Sequence, residues 1–297
     1  MTIRSSGERV SRRTALAGIL IVALAAFGQA ALIEDTYSRA DSSGLGITEV
    51  GGYAYTESNM QNWITNVAAI AGQQLHIHGY SASGPASTSN HGQAGLLAPD
   101  LTDTVHLPNV AISTDMSFLL SNTTGSNTTN NSGFIFRKPT ATSQVETPGH
   151  VEAYILPTGG VMLREKVGGT FYIRYRDNPF VAGDQSGTLN IFQGAGSLPT
   201  TINGQPFDAD GDGRLEHDEP FHVQAVLVGD RLTFAINGQA VAAARTASDG
   251  SAVGTQTLSL CKNRYTSSAS TIADPYFDNL SIDVPDYIIR HTDERTP

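Results

Sequence analysis

The residues most capable of chemistry lie in "FDADGDGRLEHDEPF", Phe207 to Phe221. Numbered from Asp208, carboxylates fall at positions 1, 3 and 5 (Asp208, Asp210, Asp212), with Gly213 at position 6, where the chain must turn sharply. Leu215 stands at position 8 and Glu219 at position 12, which completes the spacing of an EF-hand calcium loop. A hard cation takes six to eight oxygens, and alternate short carboxylates on a tight turn converge on one point. The spacing predicts calcium held by Asp208, Asp210 and Asp212, the Arg214 backbone carbonyl and a bidentate Glu219. Glu216 would act through water, and Asp218 would face away. An acidic turn without metal needs neither the closing Glu nor the apolar residue at position 8.

The segments around the loop are not helical. "SLPTTINGQP" before it has no apolar stripe, and Pro220 follows Glu219 directly, which disfavours an α conformation there. The loop is therefore expected between strands, as a structural clamp. A sensor would need two helices to move.

Two further sets could contact a ligand. "QLHIHGY" places Gln74, His76, His78 and Tyr80 on one strand face, with Leu75 and Ile77 opposite. A zinc site from His76 and His78 lacks a clear third ligand, and the same residues read equally as the polar side of a half-buried strand. In the second set, "HVEAYILP", "VMLREK" and "FYIRYRD" place Glu152, Tyr154, Arg164, Lys166, Tyr172, Arg174 and Arg176 on polar strand faces. If these three strands form a meander, tyrosines and cations share one surface able to stack a sugar ring and bind carboxylate or sulfate. The plain alternative is a solvated face with cross-strand ion pairs. Trp63, the one tryptophan, reads as core or as a stacking residue. No Gly-x-Ser-x-Gly elbow and no phosphate loop is present.

Period-two alternation runs through most of the chain, from "GGYAYTES" to "YFDNLSID". Gly229-Asp230 and Asn237-Gly238 are tight-hairpin signals. "NMQNWITNVAAIAG" is the best candidate for a short helix, and "SNTTGSNTTNNSG" (121–133) reads as a polar loop carrying sequons at Asn122, Asn127 and Asn130. Many short strands with Gly-rich turns predict an all-β, antiparallel two-sheet jelly-roll sandwich.

Residues 1–30 read as a signal peptide: Arg4, Arg9, Arg12 and Arg13, then the apolar run Ala15 to Phe27, then Gly28-Gln29-Ala30. "SRRTAL" has the look of a twin-arginine export signal in a bacterial chain. Its removal takes four Arg and Glu8, a net +3, so the formal charge moves from -10 to -13. Such a chain is a poor partner for nucleic acid. Cys261 is the single cysteine, so no intrachain disulfide can form, and a calcium clamp has an obvious use outside the cell. No segment after the leader is long and apolar enough to insert into a membrane.

Three stretches together carry a resemblance. "DTYSRADSSGLGITEVGGYAYTE" (35–57) resembles the opening of bacterial concanavalin A-like, laminin-G-like jelly-roll domains. "FHVQAVLVGDRLTFAINGQAV" is similar to their late hairpins, and "PYFDNLSID" to their closing strand, which pairs with the first. The resemblance brackets residues 35–284 and implies two packed sheets and contact with carbohydrate outside the cell. It implies no single function, because the fold hosts lectins, hydrolases, lyases and adhesion modules. Glucanases of this superfamily carry Glu-x-Asp-x-x-Glu on one strand; no strand here has it, and the nearest string, "EHDE", belongs to the calcium loop. Gln74-Leu75-His76 faintly matches the Gln-x-His of alginate-type lyases, whose other motifs are missing.

These readings converge on an exported, calcium-stabilised sandwich in the periplasm, at the cell surface or in the medium. It would bind a polysaccharide or glycoconjugate, an acidic one among the options, or join a surface assembly, without catalysis. A polysaccharide-active enzyme using His76, His78 or Tyr80 and a purely structural module remain as alternatives.

Overall fold

The computed structural model describes residues 32–59, 67–78, 92–97, 109–120, 130–138, 150–167, 170–177, 198–247, 257–264 and 273–284. The leader, Trp63, Tyr80, Asn122 and Asn127 lie outside the described residues. The described strands belong to one compact unit, Ala31–Pro297. They are β1 (Ile33–Asp35), β2 (Ala54–Asn59), β3 (Ala68–Ala71), β4 (Gln74–Ile77), β5 (Gly92–Leu97), β6 (Val110–Leu120), β7 (Asn130–Lys138), β8 (Val151–Ile155) and β9 (Val161–Val167). There follow β10 (Thr170–Asp177), β11 (Thr201–Ile202), β12 (Gln205–Pro206), β13 (Phe221–Val228), β14 (Arg231–Ile236), β15 (Gln239–Arg245), β16 (Thr257–Arg264) and β17 (Ala273–Asp283). Among the described residues there is no helix.

The strands form two large antiparallel sheets and a separate two-stranded hairpin, β11–β12. Sheet I runs β15-β14-β13-β6-β17-β4-β3, with β1 also on β17; sheet II runs β10-β9-β8-β7-β16-β5-β2. The chain crosses between sheets at β4 to β5, β6 to β7 and β16 to β17, and these strands are neighbours in both sheets. That nested crossing makes the sandwich a jelly roll. The opening and closing strands pair, Ile33 with Ile282 and Asp35 with Leu280.

Alternation builds the core. On β13, Phe221, Val223, Ala225 and Leu227 are buried while His222 and Gln224 turn outward. Phe134 of sheet II meets Phe234 of sheet I with ring centroids 6.5 Å apart. Burying one such aromatic contributes roughly 1.5–3 kcal/mol. A second buried cluster, Ile135, Tyr154, Met162 and Cys261, lies on the other face of sheet II. There Gly133 packs so closely that a Cβ would stand 2.3 Å from the Ala153 carbonyl oxygen.

The opening motif has a structural cause. Asp35 is fully buried and accepts from the Tyr37 N–H, from Arg39 through both carboxylate oxygens, and from the Tyr55 hydroxyl of β2. It ties the first strand of sheet I to the edge strand of sheet II.

Two expectations are corrected. Residues 60–66 of the helix candidate lie outside the described residues, and its end is a strand, β3: Ala68–Ala71 pairs with β4, and Ala68 and Ile70 point into the core in strand alternation. Tertiary pairing overrides the weak helical preference of this alanine run. The polar tract also ends earlier than expected, because Asn130 to Gly133 begin β7.

Candidate functional site

The β11–β12 hairpin leads into the acidic loop and β13 leads out of it, so strands flank it as the sequence implied. Asp208 is buried, and its carboxylate accepts from the Gly211 N–H at 2.8 Å and the Gly213 N–H at 3.1 Å. Gly213 has φ 85°, which a side chain would strain. Glu219 closes the loop by accepting from the N–H groups of Ala209, Asp210 and Glu216. Carboxylate oxygens of Asp208, Asp210 and Asp212 lie within 4.8 Å of one another. Burial, then Asp212 and Asp210, push the Asp208 carboxyl above its ordinary range. Burial and the same aspartates push Glu216 up, and burial pushes Glu219 up. A cation of hard-oxygen preference relieves that crowding, so this donor set fits calcium.

The loop is fastened to both sheets. The Leu215 N–H donates to the Pro157 carbonyl, just past β8 of sheet II, at 2.6 Å. The Glu216 carbonyl accepts from the Phe118 N–H of β6 in sheet I at 3.4 Å. Phe207 and Leu215 are fully buried in the common core, and Phe207 meets Phe221 edge-on at 5.5 Å. His217 Nδ1 lies 3.1 Å from Ser117 Oγ, and its ring packs on Tyr276 at 4.3 Å. Arg214 is half-buried at the loop's seventh position.

β8, β9 and β10 do form a meander, but the expected shared surface does not exist. Across β9 and β10, Tyr172 stands opposite Glu165 while Arg164 stands opposite Ile173. Directly opposed residues share a face, so Tyr172 lies on the other side of the sheet from Arg164. Arg174 follows Tyr172, donating to Glu165 Oε2 at 3.0 Å and standing 5.2 Å over the Tyr172 ring. A bulge between Ile173 and Tyr175 then shifts the register, so that the Arg176 backbone pairs with Met162. Tyr154, Arg164 and Lys166 are buried, while Tyr172 is 46% exposed. Alternation within each strand is regular, yet the offset between strands cannot be read from it. The buried side holds a polar set: Glu152 engages Arg164 through both carboxylate oxygens, His150 Nε2 lies 2.9 Å from Glu152 Oε1, and the Arg164 guanidinium stands 5.8 Å from the Tyr154 ring centre.

His76 and His78 lie on the outer side of sheet I. The His76 ring stacks on Tyr276 at 4.3 Å with planes 5° apart, and meets His78 edge-on at 5.3 Å. Its Nε2 is 3.6 Å from Asp274 Oδ2. Among the described residues the only grouping of three metal-donor side chains is Asp208, Asp210 and Asp212, so no histidine metal centre forms there.

Neither a protein-family model nor a curated protein sequence matches this chain. Solved structures of similar sheet arrangement do exist. The Bacillus licheniformis beta-glucanase is 11% identical over 86% of this chain and 99% of its own, with a TM-score of 0.47. A prokaryotic beta-1,3-1,4-glucanase (lichenase) from a mouse hindgut metagenome is 10% identical over 84% and 98%, TM-score 0.45. The carbohydrate binding module CBM66 from Bacillus subtilis is 10% identical over 65% and 85%, TM-score 0.35.

Sequence reasoning missed two features. His217, the loop's tenth residue, packs on Tyr276 and so lengthens the ring row to His217–Tyr276–His76–His78. Spacing within the loop gives no sign of that contact. Asp115 and His222 were also missed, and Asp115 lies in a strand, β6, that the alternation did not single out. Its run "VAISTDMSFLL" is too uniformly apolar at its ends to show a period of two.

Proposed function

We propose that the chain is an exported β-sandwich, clamped by one calcium ion, that binds carbohydrate without cleaving it. One observation carries the clamp: a loop with calcium-ligand spacing and crowded carboxylates is bonded to sheet I at Phe118 and to sheet II at Pro157. Asp208, Asp210, Asp212 and Glu219 would hold the ion, with the Arg214 carbonyl and Glu216 completing the shell. The ion supplies charge neutralisation, and the chain's own residues fix the loop across the sheet boundary. Calcium that binds only the folded form raises stability by mass action. Extracellular sites of this kind bind at about 10⁻⁴–10⁻³ M. Addition of millimolar calcium is therefore expected to raise the unfolding temperature, and Asp208→Ala to remove that rise while leaving the room-temperature fold intact. An unchanged melting curve on calcium addition refutes the clamp.

The carbohydrate part rests on exposed rings and polar groups on the sheet surfaces, Tyr172 with Arg174 among them. The leader supports export, and the lack of cysteine pairs makes a metal clamp useful there. A second reading, a polysaccharide-active enzyme, is favoured by the buried His150–Glu152–Arg164 set beside Tyr154. Screening uronate and neutral polysaccharides for unsaturated products and for new reducing ends separates the two; turnover lost in Glu152→Gln at unchanged melting temperature favours the enzyme.

A further inference from the structure

The outer side of sheet I carries a polar group that neither the loop nor the buried set of sheet II uses. Asp115 of β6 lies opposite His222 of β13 on one side and Asp278 of β17 on the other. His222 Nδ1 is 2.8 Å from Asp115 Oδ1, and Asn279 Nδ2 donates to Asp115 Oδ2 at 2.8 Å. The His222 side chain is 45% exposed and that of Asp115 35%, so solvent reaches both. The carboxylate thus fixes an imidazole and an amide whose second polar atoms are available to a ligand.

The fold maintains this group at a conformational cost. Asn279 has φ 49° at a bulge in β17, in the left-handed region that is unfavourable for a non-glycine residue. Bulges of this kind re-aim side chains at functional places. Thr114 Oγ1 secures the bulge by donating to the Asp278 carbonyl at 2.6 Å. The His222 N–H is itself held by Asn237 Oδ1 at 2.8 Å. Burial pushes the Asp115 carboxyl up, but the hydrogen bonds from His222 and Asn279 outweigh it and keep the group below its ordinary range.

Charge selects the ligand class. Alternation places Asp115, Asp274 and Asp278 on this side of β6 and β17, and the described outward positions of β13, β6, β17 and β4 hold no lysine or arginine. A uronate or sulfate is repelled here. A sugar hydroxyl can donate to Asp115 while a neighbouring hydroxyl donates to His222 Nε2 or to Asn279 Oδ1. One row away, Tyr276 and its flanking histidines extend the surface with planar groups.

We propose that the Asp115–His222–Asn279 group on the outer side of sheet I is a contact site for a neutral, hydroxyl-rich glycan. This rests on the carbohydrate reading above and assigns it a place and a ligand class. The test is affinity electrophoresis of the full chain, with calcium, in gels containing mixed-linkage β-glucan, xyloglucan or galactomannan, beside gels containing alginate. Retardation is expected in at least one neutral gel and not in alginate. His222→Ala and Asp115→Asn should each weaken it about tenfold or more, the scale of one hydrogen bond to a charged group, at an unchanged melting temperature. His222 is half exposed, so its variant tests the site even where Asp115→Asn unfolds. Retardation by alginate alone overturns the proposal. So does neutral-gel retardation that both variants retain, or that Tyr172→Ala abolishes instead; in those cases the carbohydrate reading survives and the assigned site falls. Absence of retardation in every gel overturns both.

Discussion

At the scale of single residues, buried charge is the sharpest probe of this fold. Glu57 on β2 accepts from the Val67 and Ala68 N–H groups through one oxygen, at 2.9 and 3.1 Å, which ties the edge of sheet II to β3 of sheet I. Burial raises its carboxyl above the ordinary value of 4.5, and the two backbone bonds offset this only in part. A raised folded value means that its contribution is full below the ordinary value and is lost as pH rises through the folded one. Glu57→Gln keeps an acceptor oxygen for both N–H groups and removes the charge. The variant is therefore expected to melt higher than the wild type at neutral pH, with the difference shrinking as pH falls through the carboxylate range. A difference that grows on acidification contradicts this. Asp35 gives the opposite case. It is fully buried and paired with Arg39, so Asp35→Ala leaves a part-buried guanidinium with no counter-charge and only the Leu45 carbonyl as acceptor, and the Tyr55 hydroxyl with only that of Tyr37. Equilibrium urea unfolding should show a loss of roughly 3 kcal/mol, the scale of breaking a buried pair.

At the scale of elements, most strands could be read from alternation, and the β13–β14 and β14–β15 hairpins from Gly229-Asp230 and Asn237-Gly238, since both signals are local. What stayed hidden was set by partners. β3 is short and alanine-rich, so only its pairing with β4 makes it a strand. The Tyr172 side of β10 was assigned wrongly because register is a property of two strands, whereas alternation describes one. The closing strand shows how one residue adjusts such a register. Ala273, Pro275 and Phe277 point inward; after Asn279 the inward residues are Leu280 and Ile282. A strict period of two would turn both of these to solvent. Deletion of Asn279 removes the extra residue of β17 between the Asp278–Asp115 and Ser281–Ser113 pairs, so a regular ladder keeps Leu280 and Ile282 inward and the resulting chain should still show a cooperative thermal transition. Asn279→Gly keeps the bulge and relieves its positive φ, so it should fold normally. A deletion variant that loses its cooperative transition would refute this account of the bulge.

At the scale of the whole molecule, the acidic loop was legible because its ligands sit within twelve consecutive positions, whereas its attachment was not, because Pro157 and Phe118 are remote in sequence. That attachment decides what the loop can do. Two stacked sheets hold together mainly through non-directional core contacts, to which bonds such as Tyr55 to Asp35 and Val67 and Ala68 to Glu57 add direction. The loop supplies two, at Leu215 to Pro157 and Phe118 to Glu216, and buries Phe207 and Leu215 beneath them. Repulsion among its carboxylates works against this joint, and the calcium ion proposed above would reverse that sign. Local opening of the loop should therefore report on both sheets at once. Hydrogen exchange with and without millimolar calcium should show slower exchange in residues 207–221 and, with them, at the end of β6 and in the turn from β8 to β9. The β2–β5 edge, which the loop does not touch through any backbone bond, should change little. Leu215→Ala should cost about 2–5 kcal/mol by leaving a cavity and should uncouple the two sheets' responses to calcium. Protection confined to the loop itself would reduce it to a surface ion site and remove the clamp from the account of this fold.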